Sequence, residues 1–218
     1  MNYNELLEKY GAIGLEKQSS LGDVIGDNNW NVDLNTGTLS FGENIGFSVQ
    51  ILGTYAFDSE TWLWAWANTA SKLDENLLTD AVALYNYGRE NDVEFLTTAE
   101  FEADQTNLHA IGIIASGLLG SSAYYCGNYG QGIILMTIKS EIIDNQPYNE
   151  QSKIISTFSD LINIFTLNHR NAFKSYLLGK KYDLIEEAGN VTAKREDKTI
   201  FASFDNMDRL TKLNGEIK

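Results

Sequence analysis

The chain has 218 residues, 43% hydrophobic and 21% charged, with one proline and a formal net charge of −14. That length supports a core without disulfide or metal staples, and a single proline argues against long disordered linkers. The imbalance lies in residues 1–109, with four basic residues against eighteen acidic ones, while residues 110–218 carry twelve of each; this disfavours nucleic acid and anionic membranes as partners and is compatible with a basic protein.

In chain order, Leu6, Leu7, Tyr10, Ile13 and Gly14 follow a helical period over residues 2–25, ended by Gly26-Asp27-Asn28-Asn29. Trp30, Val32 and Leu34 then alternate with polar neighbours, as in a half-buried strand. Leu39 and Phe41 continue that pattern beyond the Thr36-Gly37 turn. Phe47, Val49, Ile51, Gly53, Tyr55 and Phe57 are expected on one face of a long strand. After a turn at 58–60, Trp62, Trp64 and Trp66 are expected on one face of the next, with Asn68 continuing it. Short connections predict an antiparallel meander.

Helices come next, marked by Leu77 to Tyr85 and by Leu108, Ile111, Ile114, Ala115 and Leu118. Gly112, Gly117 and Gly120 suit close packing of the second. Residues 123–127 and 133–138 read as strands. A helix over about 149–167 is succeeded by one over 169–178 that Gly179 is expected to stop. Three strands, 182–187, 191–195 and 199–204, close the chain. Strands and helices come in runs rather than alternating, so the class is α+β: an antiparallel sheet meander packed on helices, with a C-terminal helix pair and a three-stranded antiparallel segment. The chain reads as one compact unit, 1–218, with a weak sub-boundary near 144–147. The lone Cys126 and an opening without a basic, then apolar, leader lead us to expect a cytoplasmic protein.

Gly53-Thr54-Tyr55 followed by Trp62-Leu63-Trp64-Ala65-Trp66-Ala67-Asn68 resembles a bacterial family known only as a domain of unknown function. Trp30-Asn31-Val32-Asp33-Leu34, Thr36-Gly37-Thr38-Leu39 and Tyr85-x-Tyr87-Gly88 carry the same resemblance, over about residues 25–140. It implies a bacterial source and no activity.

Catalytic chemistry is weakly signalled. Zinc sites need several His or Cys ligands at short spacing. Here His109, His169 and Cys126 are scattered, with His169 expected at the end of the long helix, where positive charge is favoured. A Cys126–His nucleophilic dyad needs one of them in contact with a thiolate; a buried thiol is the simpler account. Asp27-x-Asn29-x-Asn31 lacks the Gly and Glu of a calcium loop. Gly127, Gly130 and Gly132 match no phosphate-binding fingerprint and read as a hairpin connection. We therefore assign no catalytic residue, no metal and no cofactor.

Two features offer binding material. Trp62, Trp64, Trp66 and Asn68 form either a stacking wall for a flat ligand or a packed core stripe whose indole N–H groups need acceptors. Glu90, Asp92, Glu94, Glu100, Glu102 and Asp104 form the densest acidic run. This run is either a docking face for a basic protein or a solvated loop and helix start. The leading expectation is a non-enzymatic binding or regulatory protein with an acidic surface, in the manner of an antitoxin or immunity protein. The alternatives are a small-ligand binder or enzyme with a Trp-lined pocket, and a scaffold subunit.

Overall fold

The computed structural model describes residues 1–146 and 150–217. Pro147, within the expected sub-boundary, lies outside the described residues. The first helix, α1 (Tyr3–Ile25), starts at a capping box in which the Asn2 side chain accepts from the Glu5 N–H and Glu5 accepts from the Asn2 N–H. A strand block succeeds it: β1 (Trp30–Asp33), β2 (Thr38–Phe41), the long β3 (Ile45–Ala56) and β4 (Thr61–Trp64). Then come α2 (Thr79–Glu90), α3 (Glu94–Thr97), β5 (Glu100–Glu102) and α4 (Gln105–Leu119). The hairpin of β6 (Ala123–Asn128) and β7 (Gly132–Lys139) completes a seven-stranded antiparallel sheet.

β3 organises this sheet. β2 pairs with its first residues, β4 with residues 53–56, and β7 runs along 48–56. Since β4 and β7 share partners, they flank β3 on opposite edges. The single apolar face expected from Phe47 to Phe57 is not formed. A bulge at Leu52 adds one residue between Ile51 and Gly53 and reverses the parity of the rest of the strand. Phe47, Val49 and Ile51 therefore enter one core cluster with Leu39, Phe41, Met136 and Ile138. Leu52 and Tyr55 enter the other, with Trp62, Trp64 and Leu135. Sheet faces are set by side-chain parity, so one inserted residue moves every later side chain of the strand to the other side.

The C-terminal part contains α5 (Glu141–Asp144), α6 (Glu150–Ile164), α7 (His169–Gly179) and a second antiparallel sheet. That sheet has four strands, not three: β8 (Asp183–Glu187), β9 (Asn190–Arg195), β10 (Lys198–Phe204) and β11 (Leu210–Ile217). β11 is not visible in the sequence because Leu210-Thr211-Lys212-Leu213-Asn214 lacks strict alternation. It is held by the register of β10 instead.

α1 touches both sheets' helices. It crosses α4 where a Cβ on Gly14 would sit 2.0 Å from the Ile113 carbonyl oxygen and one on Gly117 2.3 Å from that of Tyr10. Glu8 reaches the start of α7, accepting from the Asn168 N–H at 3.0 Å and from the Asn171 amide at 3.2 Å. One apolar cluster thus extends from Trp62 and Trp64 through Leu6, Ile113 and Phe173 to Ile200 and Ala202. Among the described residues, no helix is long and apolar enough to cross a membrane.

Candidate functional site

The tryptophan run does not continue as one stripe. β4 ends at Trp64, and Ala65 to Ala67 form a turn. Trp62 and Trp64 are fully buried, their rings edge to face at 5.2 Å. Gly53 lies beneath them, where a Cβ would stand 2.5 Å from the Trp62 ring. These two indoles present no face to solvent. Trp66 is half-buried against Tyr85, with centroids 4.5 Å apart. Asn68 does not continue the stripe either; its side chain accepts from the Ser71 N–H and caps a short 3₁₀ turn. Of the three indoles, Trp64 finds an acceptor, donating to the Phe95 carbonyl at 3.0 Å. The buried N–H groups of Trp62 and Trp66 have no partner among the described residues.

That Trp64 bond ties β4 to the acidic run. Residues 92–98 form a ridge: Asp92 turns the chain at φ +53, an angle Asp tolerates better than most residues, and Glu94 opens α3. Leu96 pins the ridge to the core, with Gly88 of α2 packed against its Cβ. A cleft of about 520 Å³ lies on one side of the ridge, walled by Tyr3, Phe95 and Phe101 with Asp92 and Glu94 at its rim. A second, of about 510 Å³, adjoins the same segment, walled by Tyr85 and Arg89 and sharing both acids.

The remaining acids are dispersed. Glu100 and Glu102 belong to β5, a short edge strand whose alternation turns them away from Phe101 and the first cleft. The expectation of a loop fails there because three residues carry too little pattern to announce a strand. Such charges on a sheet edge discourage further pairing. Glu90 ends α2, exposed. Asp104 caps α4, accepting from the Asn107 N–H at 2.8 Å. The structure therefore brings Asp92 and Glu94 together with aromatic walls and leaves Glu90, Glu100, Glu102 and Asp104 outside them. Tyr3, Phe95 and Phe101 do not stand out in the sequence, since Tyr3 lies far away along the chain and an isolated Phe has no periodic signal.

Electrostatics divides the molecule. None of Glu90, Asp92, Glu94, Glu100 and Glu102 has an ion-pair partner among the described residues. In the C-terminal part several acids are engaged. Glu186 meets Arg170 and Lys174, Asp205 meets Arg209, and Glu150 meets Lys180, Arg195 and Lys198. Burial pushes the Glu150 carboxyl up, but those three cations outweigh it and hold it below its ordinary value. Glu16 accepts from the Tyr176 hydroxyl and from Lys180.

The scattered nucleophile and histidines stay apart. Burial pushes the Cys126 thiol up to about 12, a protonated and unreactive state at neutral pH. His109 Nδ1 lies 3.0 Å from the Tyr124 hydroxyl. His169 opens α7 rather than ending the preceding helix, so the favourable placement for positive charge is reversed. Among the described residues, no three His, Cys, Asp or Glu side chains come together in a way that would hold a metal ion.

A family of unknown function (DUF6882) matches residues 4–140, the segment that contains the seven-stranded sheet, α1, α4 and the ridge. No curated protein and no solved structure matches the chain.

Proposed function

We propose that this chain, which belongs to the family of unknown function DUF6882, is a non-enzymatic binding protein whose acid-rimmed aromatic cleft receives a cationic segment of a protein partner. The observation that carries this reading is the ridge at Asp92 and Glu94, two exposed carboxylates without ion-pair partners among the described residues, beside a cleft walled by Tyr3, Phe95 and Phe101. A lysine or arginine side chain suits such a place. Its stem lies on apolar wall, its head meets a carboxylate, and an aromatic face adds cation–π attraction. Glu90, Glu100 and Glu102 add negative field on the approach, which raises encounter rates with a basic partner. An antidote-like role toward a basic protein is the form of this reading that the charge favours.

An arginine-rich peptide titrated against the chain tests it. Binding is expected at low salt, with an association rate that falls steeply as NaCl rises to about 0.15 M, where screening acts within about 8 Å. The double replacement Asp92→Asn/Glu94→Gln is expected to weaken binding about three- to fivefold, as two exposed charges do. Replacement of Glu43, acidic and exposed but outside both clefts, serves as the control. If Glu43→Gln weakens binding as much as the double replacement, the ridge is not the site.

A further inference from the structure

The sheet face that carries Ile133 and Leu135 into the core turns polar at its far end, and a cavity of about 270 Å³ opens there. β3 and β7 pair Ser48 with Lys139 and Gln50 with Thr137, and residues opposite one another share a face. All four line the cavity. Gln50 fastens the start of α2 over this face: its amide donates to the Asn76 carbonyl at 2.8 Å and accepts from the Thr79 N–H at 2.9 Å. That brings Asp80, the next residue of α2, to Thr137, whose hydroxyl donates to the Asp80 carboxylate. The end of α4 supplies the remainder. Leu119 forms an apolar wall, Lys139 donates to the Gly120 carbonyl at 2.7 Å, and Ser121 lines the cavity while only 4% exposed.

Two observations point to a ligand. The charged side chains that line the cavity are Asp80 and Lys139, one of each sign. Neither is in an ion pair among the described residues, with the other or with any third group. Asp144, which holds the neighbouring Ser122, is paired with Lys17. The second observation is the Ser121 hydroxyl, which has no hydrogen-bond partner among the described residues. A polar group so enclosed is hydrogen-bonded as a rule, so its acceptor comes from outside the chain. The Lys139 ammonium also has N–H donors beyond the one given to Gly120.

We propose that this cavity binds a small amino acid as its zwitterion. The ligand's ammonium group lies on the Asp80 carboxylate, its carboxylate on Lys139 and the Ser121 hydroxyl, and its carbon frame against Leu119. Two unpaired charges of opposite sign in one cavity match a ligand that carries both, and a ligand with one charge leaves the other unmet. Charge-assisted hydrogen bonds of this kind are the strong ones. Size sets the same limit, since pockets for drug-sized ligands begin at about 300 Å³. The cavity shares no residue with the cleft of Tyr3, Phe95 and Phe101, so this site stands apart from the proposed protein docking.

Glycine, β-alanine and γ-aminobutyrate, which carry the two charges at increasing separation, are the probes. Each is titrated at constant ionic strength into the full chain and followed by calorimetry and saturation-transfer NMR. Saturable binding of at least one is expected, weakened about tenfold or more by Asp80→Asn and by Lys139→Gln. Ser121→Ala is expected to weaken it about tenfold as well. That replacement removes no hydrogen bond made among the described residues, so its unfolding temperature should stay unchanged and its lost binding cannot be ascribed to lost folding. Absence of saturable binding of all three probes to the unaltered chain overturns the site. So does either charge variant binding as the unaltered chain does, which would leave Asp80 and Lys139 as contacts at helix ends and nothing more. Acetate or methylammonium binding as tightly as the amino acid overturns the assignment to a zwitterion.

Discussion

At His169 an imidazole nitrogen accepts the Leu210 N–H, 3.1 Å away, and so fastens the first residue of β11 to the start of α7. A proton on that nitrogen removes the acceptor and puts a positive charge at a helix N-terminus, where it is disfavoured. Burial holds the His169 pKa below its ordinary value of 6.5, with Arg209 acting in the same sense and Asp205 against it. The unfolded chain therefore binds this proton more readily than the folded one. The contribution to stability is present above about pH 6.5 and is lost as pH falls through the folded value. Melting temperatures taken from pH 7.5 down to pH 5 are expected to fall. In His169→Asn, which keeps a side-chain acceptor but cannot titrate, part of that fall should vanish; an unchanged profile would remove His169 as a cause. At this scale residue types were legible and partners were not. The inert thiol of Cys126 was readable from its apolar setting. The bond from Trp64 to Phe95 was not, because the acceptor is a backbone atom 31 residues on, and a backbone atom carries no sequence signal.

Among the elements, α1 bears the most. Its crossing with α4 is possible only because Gly14 and Gly117 each lie over the other helix's carbonyl group. Backbone oxygens cannot swing aside as a side chain can, so Gly14→Ala is expected to destabilise the protein by about 3 kcal/mol, at the upper end of overpacking effects. Gly22, on the same helix, has nothing within 4 Å of a built Cβ. Gly22→Ala should therefore stabilise by up to about 1 kcal/mol through helix propensity alone. Urea midpoints of the two variants check the pair. Equal shifts would mean that the crossing does not depend on bare glycine. The helical stripes and the strands from Trp30 to Trp64 were legible because their periods are long enough to register. The bulge at Leu52, the edge strand β5 and the final strand β11 were not. Each is defined by hydrogen bonds to a neighbour rather than by its own pattern.

Over the whole molecule, charge is sorted. In the C-terminal half Asp144, Glu150, Glu186, Asp205 and Asp208 are paired with bases, whereas Glu90, Asp92, Glu94, Glu100 and Glu102 of the first half have no such partners among the described residues. Like charges held together oppose the compact state until salt screens them. Raising NaCl from low concentration to about 0.15 M is thus expected to raise the unfolding temperature by about 2–4 °C. A fall would mean that the paired network around Glu150 dominates instead.

Sequence alone determined the α+β class, the antiparallel character of the first sheet and the segregation of charge, since composition, period and short connections are local quantities that need no partner. Tertiary structure alone decided that Trp62 and Trp64 close the core while Asp92 and Glu94 meet Tyr3, Phe95 and Phe101, and that Asp80 of α2 shares a cavity with Lys139 of β7. Those juxtapositions join positions distant along the chain. They arise from how helices and sheets pack, which no local pattern records.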